Sequence, residues 1–172
     1  MKNLVFIFIL SIVLMACGEK SQKETVNESK KNLEQGNANT ALSFFNGIVG
    51  EFATIQAKVL NIDDHINAGG ELADTKTREL AQQLLEESER VLNIMNGLTS
   101  VGNKGSELKS RANNYFSASK EFAQALISQN EEDVLIALYN KLGEAEDQFI
   151  SFQDTYASLN NLELQGEIDL KD

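Results

Sequence analysis

The chain of 172 residues carries 15 Lys+Arg against 26 Asp+Glu, a formal net charge of −11, and contains neither Pro nor Trp. That acidic balance argues against nucleic acid, whose phosphates need a basic surface, and against a basic helix lying flat on anionic lipid. A chain of this length without proline suits helices, whose interiors Pro disrupts, and is long enough for one domain with its own core.

The first element is a leader. Met1, Lys2 and Asn3 make a short positive start, followed by "LVFIFILSIVLMA", almost wholly apolar from Leu4 to Ala16. This is the layout of a secretory signal. It is too short for a transmembrane helix, which needs about 20 apolar residues. Its last residues and the one following, Leu14-Met15-Ala16-Cys17, resemble a bacterial lipobox. The resemblance implies cleavage before Cys17 and a diacylglycerol on its sulfur. The alternative is an ordinary signal peptide with an incidental cysteine. Cys17 is the only cysteine, so no disulfide forms within the chain. Two or more acyl chains, each buried methylene contributing about 0.8 kcal/mol, hold a protein stably to a membrane.

The residue after Cys17 is Gly18. In lipoproteins an Asp there implies retention in the inner membrane, so the resemblance implies the outer membrane where the cell has one. Lys20, Lys23 and Glu24 match only in part the charged signal that directs some lipoproteins to the cell surface. The membrane face therefore stays open. Removing residues 1–16 takes away one lysine and no acid, which leaves 14 basic and 26 acidic side chains.

Residues 17–36 form the next unit, a lipidated tether. From Gly18 they are polar, with only Val26 and Leu33 as sizeable apolar side chains. Such a composition supports a spacer and no core.

The domain expected over 37–162 holds four amphipathic helices, at about 37–67, 72–98, 106–128 and 131–161. In the first, Ala38, Ala41, Phe45, Ile48, Phe52, Ile55, Val59, Ile62 and Ile66 recur alternately three and four apart, with Leu42 and Val49 widening the stripe. Gly47 and Gly50 fall off it, and Gly69 or Gly70 supplies the stop. The second helix starts at Asp74 or Thr75 as cap. Its stripe is Ala73, Leu80, Ala81, Leu84, Val91, Ile94, Met95 and Leu98, interrupted by Glu87 and Ser88. Gly102 and Gly105 punctuate the connection that follows. The third helix aligns Leu108, Ala112, Tyr115, Ser119, Phe122 and Leu126. The fourth opens on Asn130 as cap, with Glu131, Glu132 and Asp133 at the positive end of its dipole. It then aligns Leu135, Leu138, Leu142, Ala145, Phe149, Phe152, Tyr156 and Leu159. Residues 163–172 read as a flexible tail.

Short connections and three–four spacing predict an all-α fold: an up-down-up-down antiparallel four-helix bundle crossing at about 20°. Phe52 and Phe149, each mid-stripe on a long helix, are its expected central anchors. The order of these elements, with "FFNGIVGEFATIQAKV" and "NGLTSVGNKGSELKSRANNYFSASKEF", resembles an uncharacterised family of bacterial surface lipoproteins named after a spirochaete protein. The resemblance spans most of 40–160 and implies fold and location only.

Little chemistry is written into the chain. His65 is the only histidine and lies beside the stripe near Asp63 and Asp64. It reads as a surface histidine near a helix C-terminus rather than a metal ligand. A di-iron site in a bundle needs two Glu-x-x-His motifs, which one histidine cannot supply. Haem ligation by His65 and Met95 fails because the two lie about 30 Å apart along antiparallel helices. Neither a Gly-x-Ser-x-Gly elbow nor a phosphate loop occurs. The remaining candidates are Glu87 and Ser88, with Ser119, as the polar lining of a small pocket or partner groove. The competing reading is that the second helix rotates slightly and Glu87 reaches solvent. The sequence thus predicts no catalytic residue, no metal and no cofactor. It points to a non-enzymatic binding or scaffolding module with an unidentified envelope partner, or alternatively to a small-ligand or sensory domain.

Overall fold

The computed structural model describes residues 30–34, 36 and 39–162. The signal segment 1–16, Cys17 and the tail 163–172 lie outside the described residues. The described residues are all-helical, without a strand. A short helix, α1 (residues 30–34), precedes four long ones: α2 (Ala41–Asn67), α3 (Thr75–Gly97), α4 (Gly105–Ile127) and α5 (Glu132–Leu159).

The helix ends follow local chemistry. The Thr40 side chain accepts the Ser43 amide and starts α2, while Ala38, expected in its stripe, lies outside the described residues. Gly69 closes α2 at φ +98°, a left-handed value that glycine adopts without penalty. Asp74 caps α3 by accepting the Thr77 amide at 2.6 Å. At α5 the cap position belongs to Glu131, not Asn130, and no side chain caps it. Asn130 instead ends the preceding turn, its amide donating to the Ala125 carbonyl.

The core is one continuous apolar cluster. α2 and α5 meet through Phe45 on Tyr156, Phe52 on Phe149, Gln56 on Glu146 and Asp63 on Tyr139, so a step up one helix is a step down the other. Phe52 and Phe149 are both buried, with ring centroids 4.7 Å apart, and Tyr115 of α4 completes the layer 4.6 Å from Phe52. Phe149 is wholly buried, so its truncation exposes a cavity that neighbours fill only in part.

Several positions depart from the expected stripes. Leu42 and Leu159 are nearly half exposed. Each lies one turn beyond the last layer, Phe45–Tyr156, where the bundle runs out of partners. Phe44, absent from the expected stripe, is fully buried against Tyr156. Gly47 and Gly50 are buried, not off to one side. They share a helix face with Glu51 and Thr54 by three–four spacing, and α1 occupies that face. Lys30 of α1 donates to Thr54 Oγ1 at 2.9 Å and lies 3.5 Å from Glu51. Leu33, read from sequence as part of the tether, is 1% exposed. The tether therefore does not run free to residue 36. One buried leucine, contributing about 1.5–3 kcal/mol, fixes its last turn against the bundle.

Candidate functional site

α3 carries two of the three candidate residues, and its register decides their fate. Thr77, Ala81, Leu84, Ser88, Val91, Met95 and Leu98 are all buried and spaced strictly four and three apart. Ser88 therefore does not interrupt the stripe; it continues it with a polar atom. Its Oγ has no hydrogen-bond partner. Thr77, at the same kind of position, donates its hydroxyl to the Glu71 carbonyl at 2.8 Å. Ser119 is also buried, and its Oγ donates to the Tyr115 carbonyl one turn back at 2.9 Å, so its polarity is spent within its own helix.

Glu87 sits one position off the seam and joins a cluster that sequence reasoning missed. Arg90, one turn on, reaches both Glu87 oxygens at 2.9 and 3.2 Å, Glu34 of α1 at 2.8 Å and Glu51 of α2 at 2.5 Å. Glu51 is wholly buried, and its Oε1 has no partner. The hydrogen bonds from Arg90 hold the Glu87 carboxyl below its ordinary range, against the opposing effect of burial. Burial works against the charge on Arg90, but its bonds to Glu87 and Glu51 more than offset this and raise its affinity for the proton. Glu87 thus steadies the guanidinium that ties α1, α2 and α3 together.

A second polar cluster crosses from α2 to α5. Asp63 is buried and accepts from the Tyr139 hydroxyl at 3.0 Å. Burial pushes its carboxyl up to about 6, with Asp64 and Glu146 adding repulsion, while the bond from Tyr139 acts in the opposite sense. Glu146 is likewise raised by burial and accepts from Gln56 Nε2 at 2.6 Å. The nearby Tyr115 hydroxyl is buried without a partner, and burial raises its pKa well above the ordinary tyrosine value.

His65 lies near neither cluster's centre. Its Nε2 is 2.8 Å from Asp74 Oδ2, so it braces the α2–α3 connection. The capping amide of Thr77, followed by the bond with His65, holds Asp74 well below the usual carboxylate range. At the opposite end the glycine-bearing connection is clasped to α5. Tyr156 donates to the Val101 carbonyl at 2.6 Å, and the Asn103 amide donates to Asn160 Oδ1 at 2.7 Å.

The structure thus keeps the three candidates apart. No hydrogen bond or ion pair joins Glu87, Ser88 and Ser119 among the described residues. Two hollows among the described residues are open surface grooves elsewhere: one around Arg78, Gln82 and Ile127, the other between α4 and α5 around Ser117, Lys141 and Gln148. Among the described residues no three His, Cys, Asp or Glu side chains are grouped to hold a metal ion, and no helix is long and apolar enough to cross a membrane. One signal could have exposed the missed cluster: Glu51 flanks the first apolar stripe between Ile48 and Phe52, where a buried acid needs a cation. No family model matches the chain, and no curated protein or solved structure matches it.

Proposed function

We propose that this chain is a lipid-anchored protein of the bacterial envelope, attached through Cys17, that acts as a non-enzymatic binding or scaffolding module. Its four long helices form an up-down-up-down antiparallel bundle. Support for the topology comes from the paired contacts of α2 with α5 and from cross-links between successive helices: Glu51–Arg90, Glu89–Lys120 and Glu121–Lys141. Support for the anchor comes from the lipobox-like Leu14-Met15-Ala16-Cys17. The outer membrane fits Gly18 at the position after the cysteine.

The observation that carries the binding reading is how the interior polar groups are used. Glu51, Glu87 and Arg90 close on one another, and Asp63 closes on Tyr139, so their chemistry is spent on holding helices together. What remains for function is the surface and the α1 face. The alternative, a small-ligand or sensory domain, draws on one observation: the Ser88 and Tyr115 hydroxyls are buried and unpartnered.

Cys17→Ser tests the anchor. The substituted precursor is expected to stay uncleaved at this site and to take up no fatty-acid probe; continued labelling would falsify the assignment. Co-purification from membranes with the acylated protein as bait then tests the binding role. A small ligand lodged in the core would instead raise the thermal midpoint of the isolated protein in proportion to the logarithm of ligand concentration.

A further inference from the structure

We propose that the seat of α1, on the face shared by Gly47, Gly50, Glu51 and Thr54 with Arg90 at its rim, is a docking groove for a partner helix. Its ligand carries an arginine three residues before a leucine that is followed by an acid, and α1 is the resident occupant that such a helix displaces. This deepens the binding-module reading by naming the chemistry of its partner.

Three observations lead there. First, the seat is charged where covering a core would need only apolar groups. A buried ion pair adds little stability over a hydrophobic equivalent and is best used to select a partner. Glu51 is wholly buried beneath α1, with Arg90 and Lys30 as its cations. Second, the resident leaves this seat incompletely filled. Lys30 and Arg90 both address Glu51 Oε2, whereas Oε1 is buried and unpartnered. An ammonium is a point donor, but a guanidinium offers a fork that can engage both oxygens of a carboxylate. A helix with Arg in the place of Lys30 therefore supplies the missing donor while keeping the leucine of Leu33 and the acid of Glu34. Third, α1 is weakly held compared with the helices beneath it. Its described residues bury one large apolar side chain, and its ion-pairing groups Lys30 and Glu34 are 22% and 47% exposed. Partly hydrated pairs of this kind are screened by salt, so α1 opens well before the bundle does.

The test uses a labelled peptide of residues 24–36 carrying K30R, titrated by fluorescence anisotropy against the full chain in detergent. Because the apparent affinity falls with the fraction of seats left open, a chain loosened by Lys30→Gln and Glu34→Gln is expected to bind the peptide about tenfold more tightly than the wild-type chain. The unsubstituted peptide should bind the loosened chain more weakly than the K30R peptide, and Arg90→Gln in the loosened chain should abolish binding of both. Circular dichroism checks that each chain is folded; should the double substitution unfold it, Glu34→Gln alone takes its place. Equal binding to wild-type and loosened chains, indifference to K30R, or no binding to a folded loosened chain overturns the proposal. Acylation at Cys17 and co-purification from membranes read the wider function separately, so a negative titration with positive co-purification removes this groove and leaves the module.

Discussion

Glu51 and Asp63 lie on the same helix, about 18 Å apart along its axis, and both are buried, yet they are held in opposite ways. Glu51 faces a guanidinium and an ammonium and serves as the node where α1, α2 and α3 meet. Asp63 faces a tyrosine hydroxyl, with Glu146 and Asp64 nearby and no cation among its closest influences. A buried carboxylate either recruits a cation, in which case it cements the helices around it, or it does not, in which case burial raises its pKa and its stability cost depends on pH. Between the two levels lies an apolar layer, Phe52 on Phe149 and Tyr115, that supplies the reference against which both can be measured.

That reference gives the largest expected effect. Phe149→Ala should cost about 3–5 kcal/mol in urea unfolding, because the ring is fully buried and its site collapses only in part. Phe52→Ala should cost less than additively alongside it, since the two rings touch. A loss under about 1 kcal/mol for each would mean that this layer is not the inner seam.

Removing the cation from the first carboxylate comes next. Arg90→Met leaves Glu51 buried beside Lys30 alone and should cost about 3 kcal/mol. The double replacement Arg90→Met with Glu51→Met should recover most of that loss, because an apolar pair of similar volume leaves no buried charge uncompensated. If the double variant is as unstable as the single one, Arg90 acts through packing and not through charge.

The second carboxylate should show itself as a pH slope. The folded state holds the Asp63 proton up to about pH 6, whereas the unfolded chain releases it near the ordinary value of 3.8. The folded state thus binds more protons in this window, and stability rises as pH falls from 7 to 5, by about 1 kcal/mol. Glu146, also raised, acts in the same direction. Glu87 and Asp74 are lowered, so their contributions are lost only at more acidic pH and do not mask the slope. Asp63→Asn, which can still accept from Tyr139, should flatten the slope; an unchanged slope would place its origin elsewhere.

The smallest effect lies at the clasped end, away from both carboxylates. A Cβ on Gly102 would stand 2.5 Å from Asn160 Oδ1 and 2.7 Å from the Tyr156 hydroxyl, at a φ of +81°. Gly102→Ala should lower stability by about 1–2 kcal/mol without altering the pH slope. The two perturbations separate the clasp from the polar layer.

The all-helical class and the four long helices are legible in the chain itself, to within four residues at most ends, because three–four spacing and caps are local properties. Thr40 and Asp74 cap by hydrogen bonds that span three residues, and the stripe of α4 is buried as its spacing requires. The candidate site was legible only in outline. Glu87 does belong to a polar cluster, and its partner Arg90 lies one helical turn on, but the other acids that Arg90 gathers, Glu34 and Glu51, lie 56 and 39 positions from it, at separations no sequence period reports. Ser88 looks like an interruption on paper because serine is polar; only the packed helices show that its position is a core position. The seating of Leu33 was hidden for a similar reason. A single leucine in a polar stretch carries no periodic signal, and its burial depends on α1 seating against a helix that begins eight residues later. Sequence determines what each segment can bury, through spacing and side-chain size. Which face meets which, and therefore which charges must neutralise one another, is decided when the helices pack, because desolvation acts on groups brought together across the fold and not along the chain.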